Sequence, residues 1–363
     1  IFSLSNSNGT WEYDIGSGWV SVGSVSVSES LLLRDTDSLR FVPNANWNGT
    51  ELFSFTAWDQ TSGSAGTKVD TSSFGGSTAF SSGTAIPSIT VTAVNDAPLV
   101  DLNGSDGGGN DFSTTFTEDG GAVNVTDADA IISDVDDTFF QYLGINVFSM
   151  PDGGNEQIVL AGYTFSYGTS DVVTRTVGST DFEIDFDGTG FSIGNDTGGD
   201  MPLADLQLLM RGITYENTSQ SPTAGDRTFD FEVEDAGGLL SPTATSTITV
   251  IPVNDAPTGS VTISGTPTED QTLTASNTLA DADGMGAVSY QWQRDGLDIV
   301  GATSDSYILG DDDVGTIITV VGSYTDGMGT NESVTSAGVG PIVNINDAPV
   351  ISVDDAPILY LTG

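Results

Sequence analysis

The chain contains no cysteine and no histidine, and only seven lysines and arginines against 51 aspartates and glutamates. Each shortage excludes something. Without cysteine no disulfide can staple small domains, which points away from a secreted eukaryotic array and toward a bacterial exoprotein exported unfolded and stabilised in another way. Without histidine there is no Ser-His-Asp or Cys-His catalysis, no His-ligated zinc and little general-base chemistry near neutral pH. So few basic residues cannot build a phosphate-binding face, so nucleic acid is excluded as a partner and an anionic membrane surface is disfavoured. No apolar run approaches the roughly 20 residues that span a bilayer, so no membrane insertion is expected.

What is present can fold. The 363 residues suffice for two to four domains, and 37% hydrophobic and 9% aromatic content supports real cores rather than a disordered acidic tail. The net charge of -44 is another matter. Unbalanced carboxylates repel one another and work against compactness. Bound divalent cations relieve that repulsion, and salt screens it over roughly 8–10 Å. Both remedies point outside the cell. No signal peptide is visible and Ile1 starts inside a strand-like segment, so the sequence reads as a piece of something longer.

The tetrapeptide Asn-Asp-Ala-Pro occurs three times, at 95–98, 254–257 and 346–349, each time after a β-like run such as Ile89–Val94, Ile248–Val253 or Ile342–Ile345. A strand that ends repeatedly in the same proline-stopped acidic linker marks a tandem array. The expected organisation is a unit over 1–94, a linker, a larger unit over 99–253, a second linker, a third unit over 258–345, and a tail over 346–363. The fold class is all-β, with short strands of period two such as Glu51–Trp58 separated by turn chemistry. One helix is predicted, capped by Asp200, with Pro202 in its first turn and Leu203, Leu206, Leu209 and Met210 on one face, running to about Arg211. In the third unit Trp292, then Tyr307 and Asp313-Val314-Gly315, fit an immunoglobulin-like sandwich without its disulfide.

The three linkers, together with Leu39–Thr50, Ala57–Gly63 and Gly212–Asn217, give the chain its resemblance. It resembles the cadherin-like tandem repeats of giant bacterial surface proteins, including RTX-type adhesins, and the third unit resembles the Ig-like repeat interspersed among them. The resemblance implies secretion, a rod of β-sandwiches, calcium between modules, and a role in cell adhesion, biofilm or an extracellular fibre. It also implies that a unit opens with a linker, a Thr-Glu-Asp and an Asp-x-Asp. Residues 1–94 open with none of these, so the first unit is read as lacking its first strands.

Calcium takes six to eight oxygen ligands, more than one short linker supplies. A linker, a Thr-Glu-Asp and an Asp-x-Asp loop together can. The first junction offers Asn95, Asp96, Glu118, Asp119, Asp127, Asp129, Asp134, Asp136 and Asp137; the second offers Asn254, Asp255, Glu269, Asp270, Asp281 and Asp283. An isolated Asp-x-Asp is more simply an Asx turn; the set recurring in order favours calcium. The cadherin linker reads Asp-x-Asn-Asp-Asn, and here Ala93, Pro252 and Asn344 stand at the leading position, which implies fewer or weaker ions. Asp181–Gly188 has the look of an EF-hand loop, but Phe182, Ile184 and Phe186 at alternate positions make it a strand with an acidic face. Gly107–Asp111 is one imperfect copy of an RTX nonapeptide, and Asp311-Asp312-Asp313 reads as a turn.

The leading function is a non-catalytic structural array. A second reading is a filament subunit that polymerises with neighbouring copies by strand exchange through Ile358, Leu359, Tyr360 and Leu361. A third is binding to cell-surface glycans through Trp11, Trp19, Trp47, Trp58 or Trp292, against which stands their place at core-facing positions.

Overall fold

The computed structural model describes residues 1–348. The strand-exchange residues Ile358–Leu361 therefore lie outside the described residues. Strands dominate throughout, with one α-helix among the described residues. The chain divides into two compact units. One comprises Ile1–Leu99, Ile132–Gln141 and Val233–Pro242; the other comprises Val100–Ile131, Tyr142–Glu232 and the described residues from Thr243. The first linker shares its unit with Asp134, Asp136 and Asp235, and the second shares its unit with Glu118, Asp283 and Asp326.

In the first unit, strands Gly9–Asp14, Val20–Ser21 and Ser38–Pro43 form one antiparallel sheet. The long strand Gly49–Trp58 organises a second, pairing with Ser3–Leu4 and with the closing strands Phe80–Ala85 and Ser88–Val91. The core between them is aromatic. Trp11 is buried, with its ring centroid 5.2 Å from that of Phe41 and 5.1 Å from that of Phe53. Such tilted and edge contacts suit the ring quadrupoles.

The second unit holds an eight-stranded sheet. Its informative ladder is parallel: Phe112–Thr117 runs beside Ser246–Ile251, residue for residue. Strand Thr180–Phe186 alternates buried and exposed without exception, with Phe182, Ile184 and Phe186 inside and Asp181, Glu183 and Asp185 outside, so the acidic run is a solvated face. The helix spans Leu203–Arg211. Its cap is Pro202, in extended backbone, and not Asp200, because strand Met201–Pro202 carries the chain straight into the first turn. Leu206, Leu209 and Met210 are the buried face.

Further along the same unit, residues 258–345 form two small sheets. One holds Val261–Ser264, Thr272–Asn277 and Ser306–Ile308; the other holds Leu297–Asp298, Ser289–Arg294, Ile318–Thr325 and Asn331–Thr335. Trp292 is fully buried between them, stacks on Tyr307 at 5.6 Å, and donates its indole N–H to Ser304 O at 2.9 Å. Trp11 and Trp292 are core residues and offer no face to a sugar. Trp19 is exposed, but Arg40 lies 4.1 Å over its ring.

Candidate metal centres at the linkers

The parallel ladder decides where the first Thr-Glu-Asp points. Because Phe112–Thr117 runs in step with the closing strand, both end at the same edge of the module. Glu118 N–H donates to Ile251 O at 3.0 Å, and the Glu118 carboxylate takes the Val253 N–H at 2.8 Å through Oε2. Asp119 then turns the chain with φ near 58°, in the left-handed region. Glu118 is thus held against the linker that leaves its own module, not the one that enters it.

Around that linker, Asp255 N–H donates to Asp283 Oδ2 at 2.7 Å, and Asn254 donates to Glu332 at 3.0 Å. Asp281 is held by the Asp283 N–H and the Tyr324 hydroxyl. Asp326 follows strand Ile318–Thr325 and accepts the Thr330 N–H, while the neighbouring Gly327 N–H reaches Asp283 O at 3.1 Å. After these bonds one oxygen on each of Glu118, Asp255, Asp283 and Asp326 is buried with no hydrogen-bond partner. Glu118, Asp283 and Asp326 are 4%, 7% and 7% exposed. Buried polar atoms are nearly always paired, and an unpaired carboxylate oxygen carries a heavy desolvation penalty. Burial pushes the Glu118 carboxyl above its ordinary range, and the charges of Asp255 and Asp283 add to this. Burial, then Asp283 and Asp119, do the same to Asp255.

No protein cation answers this charge among the described residues. The arginine ion pairs lie elsewhere, Arg34 with Asp37, Arg40 with Glu12, Arg227 with Asp152 and Glu156, and Arg294 with Asp312 and Asp313. The donor-less oxygens are hard anionic ligands of the type a divalent cation requires. The residues present fit calcium.

The first linker repeats the pattern within its unit. Asn95 donates to Asp235 Oδ2 at 2.9 Å, and Asp96 N–H to Asp136 Oδ2 at 3.3 Å. Asp134 Oδ1 accepts the N–H groups of Asp136 and Asp137, leaving Oδ2 buried without a partner. The shared contact with the Asp134 carboxyl, together with burial, raises the Asp136 carboxyl.

The third linker repeats the Glu118 arrangement. Glu269 N–H donates to Val343 O, and Ile345 N–H donates to Glu269 Oε2 at 3.0 Å. Glu269 is 1% exposed, and single oxygens of Glu269, Asp311 and Asp347 all lie within 4.8 Å of one another. That separation suits ligands on opposite sides of one ion with bonds of 2.3–2.6 Å. Among the described residues, no three carboxylates at the second linker approach so closely. The Ile345 N–H favours charge on Glu269, but Asp311, burial and Asp347 together hold its carboxyl above the ordinary range.

With this geometry in hand, the chain can be set beside known proteins. No family model matches it, and no curated protein matches it. Among solved structures, it is similar to cadherin and adhesin repeats. A "Ca2+-stabilized adhesin" that "helps an Antarctic bacterium reach out and bind ice" aligns at 13% identity and TM-score 0.26, over 94% of this chain and 66% of that one. Drosophila N-cadherin EC1-3 aligns at 10% and TM-score 0.19, over 95% and 92%. BcpA, the major pilin subunit of Bacillus cereus, aligns in a D312A form at 10% and TM-score 0.24, over 94% of each. This chain spans just under two thirds of the length of the Antarctic adhesin structure. The functional reading rests on the linkers themselves.

The sequence order misleads on three points. Glu118 and Asp119 group by sequence with Asn95, but Glu118 grips Val253, and Asp119 accepts from Gln220. Glu269 groups with Asn254, but it grips Ile345, and Asp270 N–H bonds to Leu309 O. Asp127 and Asp129 pin the Gly-rich loop instead: Asp127 N–H bonds to Leu102 O, and Asp129 takes Ser105. Sequence reasoning missed Asp235, Asp326, Asp311 and Asp347. The signal for the first two was available, since Asp235 ends and Asp326 follows a long alternating strand and each is followed shortly by glycine, as Asp235-Ala236-Gly237 and Asp326-Gly327. Asp313, read as part of a turn, is a buried anchor for Arg294, Tyr307 and the Gly310 N–H.

These shifts set a pH dependence. Glu118, Asp136, Asp255 and Glu269 all have raised folded-state pKa values. Acids raised in this way favour the folded arrangement when protonated, so the stabilisation is present near their unfolded values, about pH 4–4.5, and is lost as pH rises through the folded ones. Without metal, the Val253 and Ile345 amides are expected to exchange more slowly at pH 5 than at pH 7.5, after correction for intrinsic rates. Saturating calcium is expected to remove that difference.

Proposed function

We propose that this chain is a non-catalytic structural module array of a secreted bacterial surface adhesin or extracellular fibre, stiffened by calcium at its linkers. The observation that carries the reading is the set of donor-less buried oxygens on Glu118, Asp255, Asp283 and Asp326. These acidic groups come from a preceding edge, a linker and a following module, and a cation drawn among them would tie the linker to both sides. The leading linker positions Ala93, Pro252 and Asn344 withhold a further carboxylate, which supports an affinity in the range of extracellular modules, about 0.1–1 mM. No helix of the described residues is long and apolar enough to cross a membrane.

The test is limited proteolysis with solution scattering, with and without chelator. EGTA is expected to increase the flexibility that scattering reads and to speed cleavage at residues 95–98 and 254–257. Unchanged cleavage and scattering would overturn the reading. Isothermal titration of calcium into the chelated chain supplies the direct count of ions.

A further inference from the structure

The loop between strands Ser38–Pro43 and Gly49–Trp58 reads Asn44-Ala45-Asn46-Trp47-Asn48, three amides and one indole in five residues. The ladder fixes where it lies. Gly49 stands opposite Val91 in an antiparallel pair, so the residues before Gly49 run beside those after Val91, which lead into the first linker. Asn44 ties the loop down: its N–H donates to Asn8 O at 2.8 Å, and its carbonyl takes the Trp47 N–H at 3.2 Å. Asn46 turns the chain with φ near 60°, a conformation asparagine tolerates better than most residues. Gly49 has φ near 138°, and a Cβ there would come within 3.0 Å of the Trp47 ring, so glycine leaves the indole its place. The indole is half-buried, with its centroid 5.5 Å from that of Phe41 in an edge contact.

Beside this loop lies a cavity of about 360 Å³, at the lower end of the range of small-ligand sites. Trp47 and Val135 line it with apolar surface, and Asn46, Asn48, Asp96 and Asp136 line it with polar groups. All six belong to the first unit. The Asp96 N–H donates to Asp136 Oδ2 at 3.3 Å, which holds the linker against the Val135-Asp136 wall. Asn46 and Asn48 are exposed. The chemistry of this lining is selective. An amide both donates and accepts, a carboxylate only accepts, and an indole offers a flat apolar face. A sugar ring has the matching surface, with C–H groups on one face and hydroxyls that donate and accept around its rim. Among the described residues no lysine or arginine lines the cavity, and the two aspartates repel an anion. We propose that this cavity binds a neutral saccharide, with the ring on Trp47 and the hydroxyls on Asn46, Asn48 and the two carboxylates. The proposal stands on the cavity and its lining, independently of the calcium reading, and gives the array a ligand at its first linker.

The experiment probes the full chain, in calcium, with an array of neutral, sialylated and sulfated oligosaccharides, and measures the best neutral one by calorimetry. Neutral glycans are expected to bind and the acidic ones to fail. The double variant Asn46→Gly with Asn48→Ala keeps the turn, because glycine adopts a positive φ freely. It is expected to weaken binding about tenfold, with thermal unfolding unchanged. Trp47→Ala is expected to abolish binding. Since Trp47 also packs on Phe41, the asparagine variant decides the matter if Trp47→Ala unfolds. Trp58→Phe alters a tryptophan outside the cavity and is expected to leave binding as it was. A blank array, a preference for acidic glycans, or binding that survives the asparagine variant would overturn the proposal. Calcium titration of the same chain keeps the two readings apart. A chain that takes up calcium and no sugar sinks saccharide binding alone; a chain that binds sugar and takes up no calcium sinks the calcium reading alone.

Discussion

Replacing Arg227 by alanine is expected to destabilise the second unit by about 3–5 kcal/mol, the largest single-residue effect the structure suggests. The Arg227 side chain is 1% exposed and pairs with Glu156, itself fully buried, and with Asp152, which is nearly so. Its guanidinium reaches Glu156 Oε2 at 3.2 Å through Nε and Glu156 Oε1 at 3.1 Å through Nη2. Tyr215 donates to the same Glu156 at 3.0 Å, and Asn217 and Thr223 satisfy Asp152. Burial works against the guanidinium's charge, but its carboxylate partners more than offset this and hold its pKa up. Removing the cation alone leaves Glu156 charged, buried and short of donors. The pair as a whole is a different matter. Arg227→Met combined with Glu156→Leu deletes both charges, and the double variant is expected to recover most of the loss, because a buried ion pair seldom outperforms packed apolar groups. Urea unfolding of the single and double variants measures both quantities. A double variant as unstable as Arg227→Ala would show that the pair itself, and not the orphaned acid, supports the fold.

Calcium itself should produce the second large effect. At 10 mM calcium and a dissociation constant of 0.1–1 mM, each filled site stabilises the chain by about 1.4–2.7 kcal/mol. Glu118→Gln is expected to abolish that gain at the second linker while making the metal-free chain more stable. The sign follows from the site: the amide removes a buried charge that Asp255 and Asp283 oppose, and it keeps an oxygen to accept the Val253 N–H. Thermal unfolding of both proteins in EGTA and in calcium should therefore show the curves crossing. A Glu118→Gln protein weaker than wild type in EGTA would mean that Glu118 holds the linker by its charge and not as a ligand.

Much of this architecture was legible in the sequence. The alternation in Thr180–Phe186 separates core from solvent residue by residue, which is why the EF-hand look-alike resolves as a strand. The linkers and the Asp-x-Asp loops are local, and Asp134-Val135-Asp136 and Asp281-Ala282-Asp283 do stand against Asp96 and Asp255. What sequence order could not give is pairing across a module. Glu118 and Val253 are 135 residues apart, and Glu269 and Ile345 are 76 apart. The parallel run of Phe112–Thr117 on Ser246–Ile251 carries Glu118 to the far edge, and a parallel bridge between Thr268 and Val343 does the same for Glu269. The helix cap differs for a local reason: Asp200 has the right chemistry, but the strand at Met201–Pro202 leaves it two residues before the cap.

The parallel ladder has a mechanical consequence. A module pulled between its flanking linkers takes the load first through Leu99–Asp101, and once that short strand gives way the load falls on the start of Phe112–Thr117 and the end of Ala244–Ile251. Those strands point the same way, so tension drags them past each other lengthwise. The six paired positions from Phe112 with Ser246 to Thr117 with Ile251 share the load at once, where an antiparallel hairpin would peel open one pair at a time. Such a module yields abruptly and at high force, like a lap joint in shear.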